Sequence, residues 1–244
     1  MHKELPNIIT VLAEHFPGPV AEFLLTWQNV ILSLIVISIL ILISFAVYSS
    51  IRKNGLIPSA IQNVVEIFVE GVDGFVCSIL GHHGRKFVPF IGTLFIYILF
   101  MNLLGLIPYF KSPTASWSTT MALALCVFVY LQYTALKELG FKGYTYHLLG
   151  KPKGVIAFSV VIPLLMFVLH VVSEFVRPLS LSLRLRSNIW GDEVLFGVLA
   201  GFGLQGVPLL IFNSFLALIA ALVQAVVFCL LTTIYFALVL VHEE

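Results

Sequence analysis

Long apolar runs broken by short polar punctuation dominate the chain, and their lengths predict its elements. About 20 apolar residues at ~1.5 Å rise each cross a ~30 Å hydrocarbon core. The runs at 27–50, 87–110 and 118–140 each fit one crossing helix. Arg52-Lys53, Gly55 and Pro58 end the first, Pro108 closes the second, and Gly140 follows the third. Residues 58–82 differ in kind. Glu66, Glu70 and Asp73 stand at i, i+4 and i+7, a polar stripe on a helix whose other positions hold Val65, Phe68, Val69, Val72, Phe75 and Val76. That pattern predicts an amphipathic helix lying at the interface or against other helices, rather than a span. The runs at 154–202 and 207–242 exceed one perpendicular crossing and predict two long, tilted helices, with Pro163 and Pro178 as candidate kinks. The fold expected is an all-α polytopic membrane protein: an external segment at 1–26, then one membrane domain of five crossing helices and one amphipathic helix.

Composition agrees. The 244 residues are 60% hydrophobic and 10% charged, against about 45–50% and about 25% in soluble domains. A net charge of +1 offers nothing to nucleic acid. Cys77, Cys126 and Cys229 lie far apart, without disulfide or metal spacing. His82-His83 in a glycine loop reads as a polar turn rather than a metal site, and no cofactor is expected. The N-terminus lacks the basic-then-apolar pattern of a signal peptide.

If the spans alternate, Arg52, Lys53, Arg85, Lys86, Lys137, Lys142, Lys151 and Lys153 share one side, and only Lys3 and Lys111 lie on the other. The positive-inside rule then predicts an external N-terminus and a cytoplasmic C-terminus.

One stretch breaks the apolar pattern where it matters. Residues 170–193 carry His170, Glu174, Arg177, Arg184, Arg186, Asn188, Asp192 and Glu193. Charges at membrane depth cost a few kcal/mol each unless paired, hydrated or functional. At ~100° per residue, His170, Arg177, Arg184 and Asn188 fall within about 40° of one line. Arg186 and Glu193 fall on the opposite face at about 180–200°, with Glu174 and Asp192 near 80°. Arg184 is a permanent cation that would lower the proton affinity of any carboxylate brought near it and repel mobile cations. Its bland alternative is a structural ion pair with Glu174 or Asp192. Asp192 and Glu193 either relay protons or neutralise Arg186. His170, four residues from Glu174, either shuttles protons or is a satisfied core histidine. Gln224 on the last helix predicts an interhelical hydrogen bond, with Arg184 or Asn188 as candidate partner.

Pro178-Leu-Ser-Leu-Ser-Leu-Arg184-Leu-x-x-Asn188 resembles subunit a of the F-type ATP synthase, the stator half of its proton channel. Phe87-Val-Pro-Phe-Ile-Gly-Thr-Leu-Phe and Met101-Asn-Leu-Leu-Gly-Leu-Ile-Pro108 are similar to that family's second-span pattern. Asp192-Glu193 resembles the acidic pair of plastid and cyanobacterial-like members, and Val223-Gln224-Ala-x-x-Phe228 the last helix. The likeness runs in order over roughly residues 50–244. It implies that Arg184 is the essential arginine facing a rotor ring of c subunits. Asn188, Glu193, Gln224 and Asn102 would shape a half-channel. The partners implied are the c-ring, b-type peripheral stalk subunits, lipid and, indirectly, the catalytic sector, in a bacterial inner membrane. Arg186-Ser187 departs from the Phe-Gly of most members. Arg186 is expected to point away from the ring and pair with Glu193 or Asp192.

Other classes fit less well. A stand-alone secondary transporter or channel would be expected to show internal repeats and glycine-broken half-helices, and neither is visible. An intramembrane enzyme would need a motif such as His-Glu-x-x-His or Gly-x-Ser-x-Gly. No Gly-x4-Gly-Lys-Ser/Thr occurs, so nucleotide chemistry would lie on partner subunits.

Overall fold

The computed structural model describes residues 9–10, 18–54, 60–107, 110, 112–148 and 158–240. The predicted features at Gly55, Pro58, Pro108, Lys3, Lys111, Lys151 and Lys153 lie outside them, as does most of the external segment 1–26. The helices are α1 (Gly18–Thr26), α2 (Gln28–Asn54), α3 (Ala60–Leu80), α4 (Val88–Leu104), α5 (Trp117–Leu148), α6 (Phe158–Ala200) and α7 (Val207–Leu240). Three 3-10 turns join them, at Gly81–Phe87, Pro113–Ala115 and Gly203–Gly206. Five helices are long and apolar enough to cross a membrane, within α2, α4, α5, α6 and α7. The chain is an all-α polytopic membrane protein.

Burial divides the helices by role. The core lies between α4, α5, α6 and α7, where the Phe87 and Phe236 rings stack at 4.6 Å over buried Ile91, Leu131, Leu185 and Phe228. α2 sits at the periphery. Leu32 and Val36 pack on Met101 and Leu104, while Leu34, Ile41, Leu42 and Phe45 face outward. Outside water, that face needs no cover, since lipid tails are as apolar as leucine. α3 buries Val76 against the core and keeps Asp73 for Arg85, 3.5 Å away in the following turn. Gly81 makes the exit from α3 at φ +64, a region that disfavours residues with a Cβ.

One element differs from expectation. The helix predicted to reach residue 110 stops at Leu104, because Gly105 lets Ser112 fold back onto its end. The Ser112 hydroxyl donates 3.0 Å to the Met101 carbonyl, satisfying one of the helix's open acceptors. A Cβ on Gly105 would meet Ser112 Cβ at 2.7 Å. α6, which carries the candidate kinks Pro163 and Pro178, runs as one helix of 43 residues, about 64 Å at 1.5 Å per residue. Helix α5 breaks at Gly140 (φ 65), where the third span was expected to end. The α6–α7 hairpin closes on Gly203 (φ 61) and buried Gly206.

Candidate functional site

Two contacts fix how α6 and α7 lie against each other. Asn188 Nδ2 donates a 2.8 Å hydrogen bond to Gln224 Oε1. The Arg177 guanidinium sits 5.2 Å from the Tyr235 ring centroid, a cation–π contact. Stepping back along α6 from Asn188 to Arg177 equals stepping forward along α7 from Gln224 to Tyr235, which is an antiparallel hairpin in constant register. Of the two partners expected for Gln224, the observed one is Asn188. Gln224 is buried, and its Nε2 has no protein partner.

Arg184 stands one turn from Asn188 on the exposed side of α6. It lines an open groove with Val176, Leu179, Ser180, Leu183 and Ser187. Among the described residues it makes no hydrogen bond and no ion pair, so the structural pairing with Glu174 or Asp192 is not observed. The opposite side of the helix buries Leu181, Ser182, Leu185 and Ile189. The arginine is thus presented outward, beside small and apolar side chains.

The remaining charged groups sit elsewhere. Glu174 Oε2 accepts a 2.9 Å hydrogen bond from Gln132 Nε2 on α5. Glu174 lies ten residues before Arg184, about 15 Å along the axis. His170 Nδ1 is 2.9 Å from the Met166 carbonyl of its own helix. Asp192 and Glu193 are half-buried, about one turn beyond Asn188. Arg186 does not line the Arg184 groove, and its contacts among the described residues are not the expected carboxylates. Its guanidinium lies 5.4 Å from the Trp117 ring centroid, and its Nε donates to the Ala115 carbonyl at 3.4 Å. At about 200° from Arg184, Arg186 faces the start of α5, and the indole there takes the place of an ion pair.

Asn102 is buried, with Oδ1 accepting from Thr114 Oγ1 at 2.8 Å, and Thr114 Oγ1 is 2.6 Å from Ser112 Oγ. It belongs to this cluster at the end of α4. Sequence reasoning passed over Gln132, Ser112, Thr114 and Ser182. Gln132 carried the same signal as Gln224, an amide within an apolar run, whereas Ser112 and Thr114 looked like turn formers. Among the described residues no cluster of three or more His, Cys, Asp or Glu side chains is placed to hold a metal.

The site is thus a long hairpin, an outward cation without a protein partner among the described residues, and polar groups set before and after it along α6. The family model described as ATP synthase A chain matches residues 30–237. An ATP synthase subunit a from Protochlamydia amoebophila is 40% identical, over 99% of this chain and 90% of its own length. One from Sulfurihydrogenibium sp. is 39% identical over 89% and 99%, and one from Helicobacter pylori 33% over 95% and 99%. With both the family model and full-length relatives in agreement, the chain belongs to the ATP synthase A chain family, the non-catalytic, proton-translocating stator subunit of the membrane sector.

Proposed function

We propose that Arg184 is the fixed cation that exchanges protons with carboxylates on a rotor ring of c subunits. The observation that carries this is the exposed guanidinium without a protein partner, in a groove walled by Ser180, Leu183 and Ser187. Left alone at membrane depth such a charge is costly. A carboxylate from another chain, arriving in the groove, removes that cost and is itself held deprotonated. Proton release beside Arg184 and proton uptake away from it then follow from one charge.

Two access paths are needed, one on each side of the arginine. Asn188, Gln224, Asp192, Glu193 and Asn102 lie toward the α6–α7 turn and form the first. Glu174, His170 and Gln132 lie toward the other end of α6 and form the second. The cation between them stops protons running directly from one path to the other. That barrier matters, because each charge crossing dissipates about 2.3 kcal/mol per 100 mV. The excess of arginine and lysine on one side supports an external N-terminus and a cytoplasmic C-terminus, in a bacterial inner membrane. The other partners are b-type peripheral stalk subunits, with the catalytic sector engaged indirectly.

The test is ATP-driven proton pumping in membrane vesicles carrying Arg184→Ala. Loss of pumping in a complex that still assembles supports the reading. Normal pumping would make the arginine structural and sink it.

A further inference from the structure

The chain between α4 and α5 looks like a surface loop in sequence, Ser112-Pro-Thr-Ala-Ser116, yet it is not one. Ser112, Pro113, Thr114 and Ala115 are all buried, and the turn Pro113–Ala115 touches α2, α4, α5 and α6 at once. It is wedged into the end of the bundle. On its inner side Ser112 and Thr114 hold the Met101 carbonyl and the Asn102 amide oxygen. From α6, Arg186 also holds it, through the Ala115 carbonyl and the Trp117 ring.

Two polar atoms near this wedge have no protein partner. Asn102 Nδ2 and Ser182 Oγ are buried, in residues 2% and 0% exposed, and neither makes a hydrogen bond within the chain. Ser182 precedes Arg186 by one turn, and Glu193 follows it by seven residues, so all three fall on one stripe of α6 at about 160–200° from Arg184. The Arg186 contacts place that stripe against the Pro113–Trp117 segment. A buried donor without a partner is expensive and is normally met by water. Water between Asn102 and Thr114 on one side and the Ser182–Glu193 stripe on the other would meet these donors.

We propose that Arg186 is a positioning residue: it clamps the Pro113–Trp117 segment against α6, and so holds open a hydrated seam that delivers protons toward Asn188 and Arg184. This rests on the stator reading given above. Arginine suits the task because its planar guanidinium stacks on an indole while still donating to a carbonyl. The clamp lies on the far side of α6 from the Arg184 groove, so the second cation does not compete for the ring carboxylates.

The experiment uses the complex assembled in membrane vesicles, with its membrane sector left in place. Passive proton conduction, after removal of the catalytic sector, is normalised to assembled complex and read against the pH on the side of supply. If Arg186 serves proton delivery, Arg186→Leu loses conduction several-fold at alkaline pH and recovers toward the parent at acidic pH, where supply is no longer limiting. Trp117→Leu gives the same profile, and Arg186→Lys restores most of the loss. Equal loss at every pH, no loss at all, or a lysine variant as poor as leucine overturns the proposal.

A second measurement tests the water directly. In a background with Cys77, Cys126 and Cys229 replaced by Ala, Ser182→Cys should react with silver ion, while the equally buried Leu185→Cys should not. An unreactive Ser182→Cys removes the seam. Silver reactivity does not depend on pumping. Normal pumping by Arg184→Ala would therefore sink the stator reading while leaving the seam measurable, and an unreactive thiol beside a silent Arg184→Ala would sink the seam alone.

Discussion

Asn188 and Gln224 bind each other across the α6–α7 hairpin, one turn beyond Arg184, with a 2.8 Å bond from Nδ2 to Oε1. The pair uses only part of what two amides offer. Gln224 Nε2 stays buried and without a protein partner, which leaves a donor available beside the arginine for water or a carboxylate.

This pairing predicts strong coupling between the two positions. Gln224→Leu strands the Asn188 donor, and Asn188→Leu strands the Gln224 acceptor. Each loses a polar contact worth about 1–3 kcal/mol when left unsatisfied. ATP-driven pumping should fall several-fold in either single variant, with the complex assembled. The double variant should be little worse than either alone, because residues in one hydrogen-bond pair are not additive. Additive losses would mean that each amide acts on the proton path by itself.

The two arginines should separate cleanly. Arg184 lines the exposed groove without a partner, whereas Arg186 is engaged by Trp117 and Ala115 on another face. Arg184→Ala should abolish pumping. Arg186→Phe keeps an aromatic able to pack on Trp117, so it should retain substantial passive proton conduction at acidic supply pH. Equal, complete loss in both would place Arg186 on the proton path itself.

Much of the fold was legible because bilayer thickness is a ruler. The five runs of apolar residues and the acidic stripe of α3 follow from length and helical period. Arg184 stood out because an intramembrane cation needs a reason. What sequence did not reveal came from tertiary contacts between short polar residues. Nothing in Ser112-Pro-Thr-Ala indicates burial; only the close approach at Gly105 makes it possible. Arg186 was expected to seek a carboxylate along its own helix, since opposite charges dominate such reasoning. The orientation toward α5 gave it an indole instead.

The hairpin turn makes a stability prediction. A Cβ on Gly206 would lie 2.4 Å from the Leu199 carbonyl oxygen, a backbone atom that cannot swing away. Gly206→Ala should therefore force the turn open at a cost of about 1–3 kcal/mol, the range for overpacking. Gly74 on exposed α3 has nothing within 4 Å of its would-be Cβ, so Gly74→Ala should be neutral or stabilising by up to about 1 kcal/mol. Thermal unfolding of the detergent-solubilised complex reads both. A Gly206→Ala protein as stable as Gly74→Ala would show that the turn is more pliable than its geometry implies.

The path on the far side of Arg184 is tested at Glu174. Its carboxylate takes a 2.9 Å hydrogen bond from Gln132 on α5, so a second helix helps to hold its position. Glu174→Gln preserves size and hydrogen bonding but removes the charge and the exchangeable proton. If this carboxylate carries protons, pumping should fall several-fold in a fully assembled complex. Gln132→Leu, which leaves the carboxylate but removes its anchor, should cause a smaller loss. The order matters more than the size. Gln132→Leu worse than Glu174→Gln would mean that the bond between α5 and α6 is structural and that protons leave by another route. A normal Glu174→Gln would move the second path away from this carboxylate altogether, leaving His170 as the titratable group on that side to test.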